Sequence, residues 1–136
     1  MTQYLLDTGI CIYISKRKPA AVLSRLEQLR PGDVAMSVIT HLELVYGAWK
    51  SQHAEANLAR IGELCTIIPV RPLDASVAKQ YGRIRSELEK RGSPIGACDL
   101  LIAAQALSLG LVLVTSNVRE FARIEGLRIE NWAERV

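Results

Sequence analysis

YLLDTGI, residues 4–10, is an apolar run that stops at an acid. Short, apolar and closed by a polar turn, the stretch QYLLD reads as a buried strand of a parallel sheet. LVLVTS, residues 111–116, repeats the pattern more clearly, with four aliphatic residues ending at Thr115 and Ser116. IPV at 68–70 has the same character, and DVAMS at 33–37 is a fainter version. Helical patterns lie between them. Val22, Leu23, Leu26 and Leu29 recur at three and four behind Pro19, which suits a helix's first turn. Val77, Tyr81, Ile84 and Leu88 form one stripe within 74–91, with Asp74 placed to cap it and Gly92 to end it. The opposite face, Lys79, Arg83, Glu87, Lys90 and Arg91, reads as solvated. Further helices are predicted over 37–50 and 97–109. Strands alternating with helices give an α/β sandwich around a mainly parallel sheet, a fold whose ligands gather outside the carboxyl ends of the strands.

The 136 residues suit one domain, 1–136, able to bury about two thirds of its unfolded surface. With one Phe, two Trp and four Tyr, the core must be built mainly from Leu, Ile, Val and Ala. A net charge of +3 permits an anionic partner such as RNA without demanding one. Cys11, Cys65 and Cys98 are odd in number and widely spaced, which excludes a Cys-x-x-Cys zinc site and suits a reducing cytoplasm. Cys98 reads as a small buried thiol. No signal peptide is evident, and the tract 97–114 is interrupted by Asp99, Gln105, Ser108 and Gly110, so no membrane span is predicted.

Polarity is out of context in four places. Asp7 ends the first strand, where it either caps the following GICIYIS segment or serves a site. Glu43 lies in SVITHLELVYGAW, a helix apolar nearly all round, where a charged carboxylate is expensive unless something meets it. The alternative is a narrow wet strip shared with Thr40. Asp99 opens DLLIAAQALSLG, at the mouth of a core helix, where the helix dipole alone would also favour an acid. TSNVREF follows the strand LVLV and brings Thr115, Ser116 and Asn117, with Glu120 one turn further on.

Like-charged carboxylates do not gather without a counter-charge. A divalent cation is the economical answer, and oxygen-only ligation favours Mg²⁺ or Mn²⁺. Such an ion polarises phosphoryl oxygens and acidifies water, and the matching reaction is phosphodiester hydrolysis.

The stretches YLLDTGICIY, SVITHLELVYGA, RGSPIGACDLLIAAQAL and LVLVTSNVREFARIEGLRIENW, in this order and spacing, resemble the PIN-domain ribonucleases, and among them the VapC-type toxins of bacterial toxin–antitoxin pairs. The resemblance covers essentially the whole chain. It implies a three-layer α/β/α fold and an acidic metal site in which Asp7 and Asp99 bind the ion. Glu43 binds or orients it through water, and Asn117 falls where many members have a fourth acid. It also implies a metal-dependent endoribonuclease acting on structured RNA, with tRNA and initiator tRNA in particular favoured. The implied assembly is a homodimer inhibited by a small cognate antitoxin whose tail crosses the active-site groove.

Two positions depart from the family pattern. Gly9 stands where members commonly have Asn, so a side-chain amide is lost. Asn117 is neutral, which should weaken a second metal site, and Glu120 is the available substitute. Asp-Thr-Gly is also the catalytic turn of retroviral-type aspartic proteases, but those are nearly all β and would leave the helical stripes and Glu43 without a role. Haloacid-dehalogenase-like enzymes want a second acid where Gly9 stands. The remaining alternative is a catalytically weak RNA- or protein-binding module on the same fold. His41 and His53 read as ordinary. Lys16, Arg17, Lys18, Lys50, Arg85 and Arg119 are candidates to position RNA, with Arg85 held near a buried stripe.

Overall fold

The computed structural model describes residues 1–133; the last three residues of the domain expected over 1–136 lie outside them. The chain runs β1 (Tyr4–Leu6), α1 (Thr8–Lys16), α2 (Ala20–Glu27), β2 (Val34–Ser37), α3 (Val38–Trp49) and α4 (Ala54–Ile67). It continues through β3 (Val70–Arg71), α5 (Val77–Lys90), α6 (Ala97–Leu109), β4 (Val112–Val114), α7 (Val118–Phe121) and β5 (Ile129–Glu130). All strand pairs are parallel, in the order β3-β2-β1-β4-β5. Among the described residues no helix is long and apolar enough to cross a membrane.

Successive strand residues point to opposite faces, and this period sorts the core into two layers. Leu5, Ala35 and Leu113 face a cluster with Ile84, Leu88, Ile102 and Phe121, from α5, α6 and α7. Leu6, Val34, Met36 and Val114 face a second cluster with Ile10, Ile14, Val22 and Leu64, from α1, α2 and α4. Helices thus cover both faces of the sheet, the three-layer sandwich that the sequence predicts.

The pattern of IPV predicts a strand at 68–70, yet Ile68 caps α4 and only Val70 and Arg71 pair. The helix α4 is itself unannounced by the strong stripes: Leu58, Ile61 and Leu64 supply the spacing, but Gly62 and flanking polar residues dilute it. DVAMS, the faintest strand, is buried along all of Val34–Ser37. Asp74 turns the chain ahead of α5, accepting from Ser76 N–H at 2.8 Å, instead of capping the helix directly. Gly92 is left-handed at φ 69°, as a helix-ending glycine should be.

The chain winds outward from β1 to β2 and β3, then returns to β4 on the other side of β1. Between β1 and β4 the winding direction reverses, and a crevice opens there at the carboxyl ends. Asp7 follows β1 and Thr115 follows β4, with Leu6 and Val114 paired at the lip and the Asp7 N–H donating to the Val114 carbonyl at 3.0 Å.

Candidate metal centre and active site

Asp7 is buried at 8% exposure, the one buried acid among the described residues. Its Oδ1 accepts from the Ile10 N–H at 2.9 Å, so the capping role is real. The same carboxylate also lies in the crevice, and burial pushes its pKa up. The Thr115 hydroxyl and the Ile10 N–H draw it back, while nearby Glu43 pushes it further up.

Glu43 projects from the first half of α3 and is half-buried. The wet strip shared with Thr40 is not realised, because Thr40 is completely buried. The Thr8 hydroxyl instead contacts both, 2.6 Å from Glu43 Oε1 and 3.2 Å from Thr40 Oγ1. A helix apolar nearly all round does not mean a helix buried all round either. Leu42, Tyr46 and Trp49, spaced along one side of α3, are 59%, 66% and 65% exposed.

Asp99 lies in the first turn of α6 behind the Gly96 N-cap. Its pKa is raised to about 6, first by burial and then by the charges of Glu120, Glu43 and Asp7. Asn117 occupies the N-cap position of α7, its backbone N–H on Thr115 Oγ1 at 2.9 Å and its amide nitrogen bonded to Glu120. The acids from four separate segments therefore share one electrostatic neighbourhood.

No cation neutralises them: the ion pairs among the described residues are Arg25–Glu130, Arg83–Glu87 and Arg85–Glu89, all elsewhere. Nor do three acidic, His or Cys side chains among the described residues stand at ligand spacing around one point. The carboxylates form a loose cluster, not a preassembled cage, as mutual repulsion dictates. All donors are oxygens, one is buried, and Asp7 and Asp99 have raised pKa values, first from burial and then from the neighbouring acids. That donor set fits a hard divalent cation.

Residues 4–127 match the PIN domain. The chain is 47% identical over 133 residues to a tRNA(fMet)-specific endonuclease VapC of Shigella flexneri, covering 98% of this chain and all of that one. The chain belongs to the PIN-domain family, in its VapC branch. A ribonuclease VapC2 of Haemophilus influenzae is 45% identical, with 97% of this chain and 99% of that one covered. The DNA-bound VapBC of Salmonella typhimurium superposes with a TM-score of 0.91 at 42% identity, covering 97% and 99% of the two chains.

In this PIN domain Glu120 carries the charge absent at Asn117, and it heads the charges acting on Asp99. Thr8 was not singled out from the sequence, and only its place beside Asp7 could have marked it. Cys98 corrects the expectation of a buried thiol. It is exposed, because the first turn of α6 turns Leu100 inward and leaves Cys98 on the outer side. Arg85 is exposed too, held by the Tyr81 hydroxyl at 2.8 Å and Glu89 at 3.1 Å on its own helix and not by the core.

Gly9 faces the site. A Cβ built there would lie 3.6 Å from Asp7 Oδ1 and 3.9 Å from Ser116 Oγ, ordinary contact distances. Gly9→Asn is therefore expected to fold and to stabilise the first turn of α1 by about 0.5 kcal/mol, from reduced backbone entropy. Urea denaturation checks it; a loss of stability would mean that the site has no room for the side chain.

Proposed function

We propose that this chain is a metal-dependent endoribonuclease toxin that hydrolyses phosphodiester bonds in tRNA, initiator tRNA favoured, and is held inactive by a cognate antitoxin. The observation that carries the reading is the unneutralised acid cluster of Asp7, Glu43, Asp99 and Glu120 at the reversal point of the sheet. The name of the Shigella flexneri relative, a tRNA(fMet)-specific endonuclease, supports the substrate. The VapBC assemblies among the solved relatives support the antitoxin. The uncovered stripe of Leu42, Tyr46 and Trp49 favours a protein-bound state, whether homodimer or toxin–antitoxin hetero-oligomer.

Asp7, Asp99 and Glu43 would hold Mg²⁺ or Mn²⁺, with Glu120 adding charge. The bound ion would polarise a phosphoryl oxygen and lower the pKa of a coordinated water. The protein's part is positioning. Thr8 fixes the Glu43 carboxylate, and the Thr115 hydroxyl and Ile10 N–H fix that of Asp7. Asn117 ties Glu120 to the loop after β4.

The test is incubation of the antitoxin-free chain with total tRNA under Mg²⁺, Mn²⁺ or chelator. Discrete fragments that require the ion are expected, and end-mapping locates the cut. A folded chain that binds RNA but cleaves nothing under any ion would overturn the reading in favour of a binding module.

A further inference from the structure

The acid cluster that suits a metal also repels RNA, so the substrate's remaining phosphates need compensation close by. A hollow of about 270 Å³ begins at Thr8 and Glu43 and runs between α1 and α4. A second hollow shares Ser15, Lys16, Arg60 and Leu64 with it and adds Arg17 and Lys18. The two form one groove, acidic at the site and basic at the far end, where Glu63 is the single acid.

Lys16, Arg17, Lys18 and Arg60 are all exposed, and none enters an ion pair or side-chain hydrogen bond among the described residues. Arg25, Arg83 and Arg85 are by contrast tied to acids, and Arg91, Arg123 and Arg128 to backbone carbonyls. Arg17 is a further anomaly. It ends α1 at φ 59°, its N–H serving the Ile14 and Tyr13 carbonyls, in the left-handed conformation where glycine is usual. The Arg17 side chain is exposed and has no ion pair or side-chain hydrogen bond among the described residues that would favour it over glycine here.

We propose that Lys16, Arg17, Lys18 and Arg60 form an anchor for the RNA backbone, holding phosphates on the α1–α4 side of the scissile bond. The anchor rests on the ribonuclease reading for its ligand, and Arg60 joins the sequence-derived candidates because α4 brings it opposite Lys16. Arg85, on α5, stands outside this groove.

The experiment measures binding of labelled total tRNA in EDTA across a KCl series. Arg17→Gly/Lys18→Gln/Arg60→Gln is compared with the parent, and with Arg30→Gln/Lys79→Gln/Lys90→Gln, which removes equal charge elsewhere. Each lost phosphate contact flattens the log–log salt slope by about 0.7–0.9, so the groove variant should lose about 2 to 3 from the slope and bind at least roughly tenfold more weakly. The control should keep a near-parent slope. Arg17→Gly alone should raise Tm by a few degrees, roughly 3 °C, which separates weak binding from misfolding. An unchanged slope in the groove variant, equal losses in both triple variants, or retained RNA binding with loss of an antitoxin tail peptide would each overturn the anchor. Cleavage by the parent is scored separately: groove-dependent binding without cleavage sinks the nuclease reading alone, and cleavage with groove-independent binding sinks the anchor alone.

Discussion

Asp99→Asn is expected to lower tRNA cleavage by roughly a thousandfold or more, about 4 kcal/mol of transition-state stabilisation, while making the metal-free protein more stable. The second half follows from its raised pKa. The unfolded chain releases this proton near 3.8 and the folded chain near 6, so between those values the folded state binds more protons. Stability therefore falls as pH rises through that window, and the whole deficit is present above about pH 6. Two pH units correspond to nearly 3 kcal/mol, but Asp99 is half-exposed, and solvent screening leaves about 1–2 kcal/mol. In EDTA at pH 7.5 the variant should melt about 4 °C or more above the parent, and the gap should close below pH 4. Adding Mg²⁺ should raise the parent's Tm and leave the variant's unmoved. A variant less stable than the parent, or one that keeps the Mg²⁺ shift, would remove Asp99 from the site. A residue that destabilises the empty fold and is needed for activity has the signature of function.

Asp7, Glu43 and Asp99 stand out as candidates in the sequence because each breaks an apolar element, and the structure brings the three charges into one neighbourhood. Asp7 ends β1, Asp99 opens α6 and Glu43 interrupts α3. The alternation of strands and helices likewise fixed the layers. What stayed hidden depends on contacts between distant segments. Glu120 could be named only as a substitute for Asn117, and its charge reaches Asp99 because the sheet brings the loop after β4 beside β1. Thr8 acquires a role only when α3 packs on α1 and delivers Glu43. The exposure of α3 was misread because an apolar stripe looks the same in sequence whether the fold or a partner covers it. Helix α4 and the two-residue strands β3 and β5 carry too little periodic signal of their own, and tertiary packing decides them.

Asp7 has two roles that substitution can separate. Its carboxylate caps α1 through the Ile10 N–H, and it also contributes buried charge to the acid cluster. Asparagine keeps an oxygen acceptor at the cap but removes the charge, and the two residues are nearly equivalent as N-caps. Asp7→Asn should therefore lose cleavage as completely as Asp99→Asn and melt at or above the parent, because the charge that burial disfavours is gone. Asp7→Ala should also be inactive, yet it leaves the first turn of α1 uncapped beneath the sheet. It should fall below Asp7→Asn by about 1 kcal/mol, roughly 4 °C in Tm. The comparison is decisive because a cap and a metal ligand predict opposite patterns. If Asp7→Asn still cleaved tRNA, the cap alone would explain the acid. If Asn and Ala destabilised the fold equally, the buried charge and not the cap would be holding α1 in place. Inactivity in both variants with stability lost only in Ala is the one pattern that requires a carboxylate for the chemistry and an oxygen for the fold.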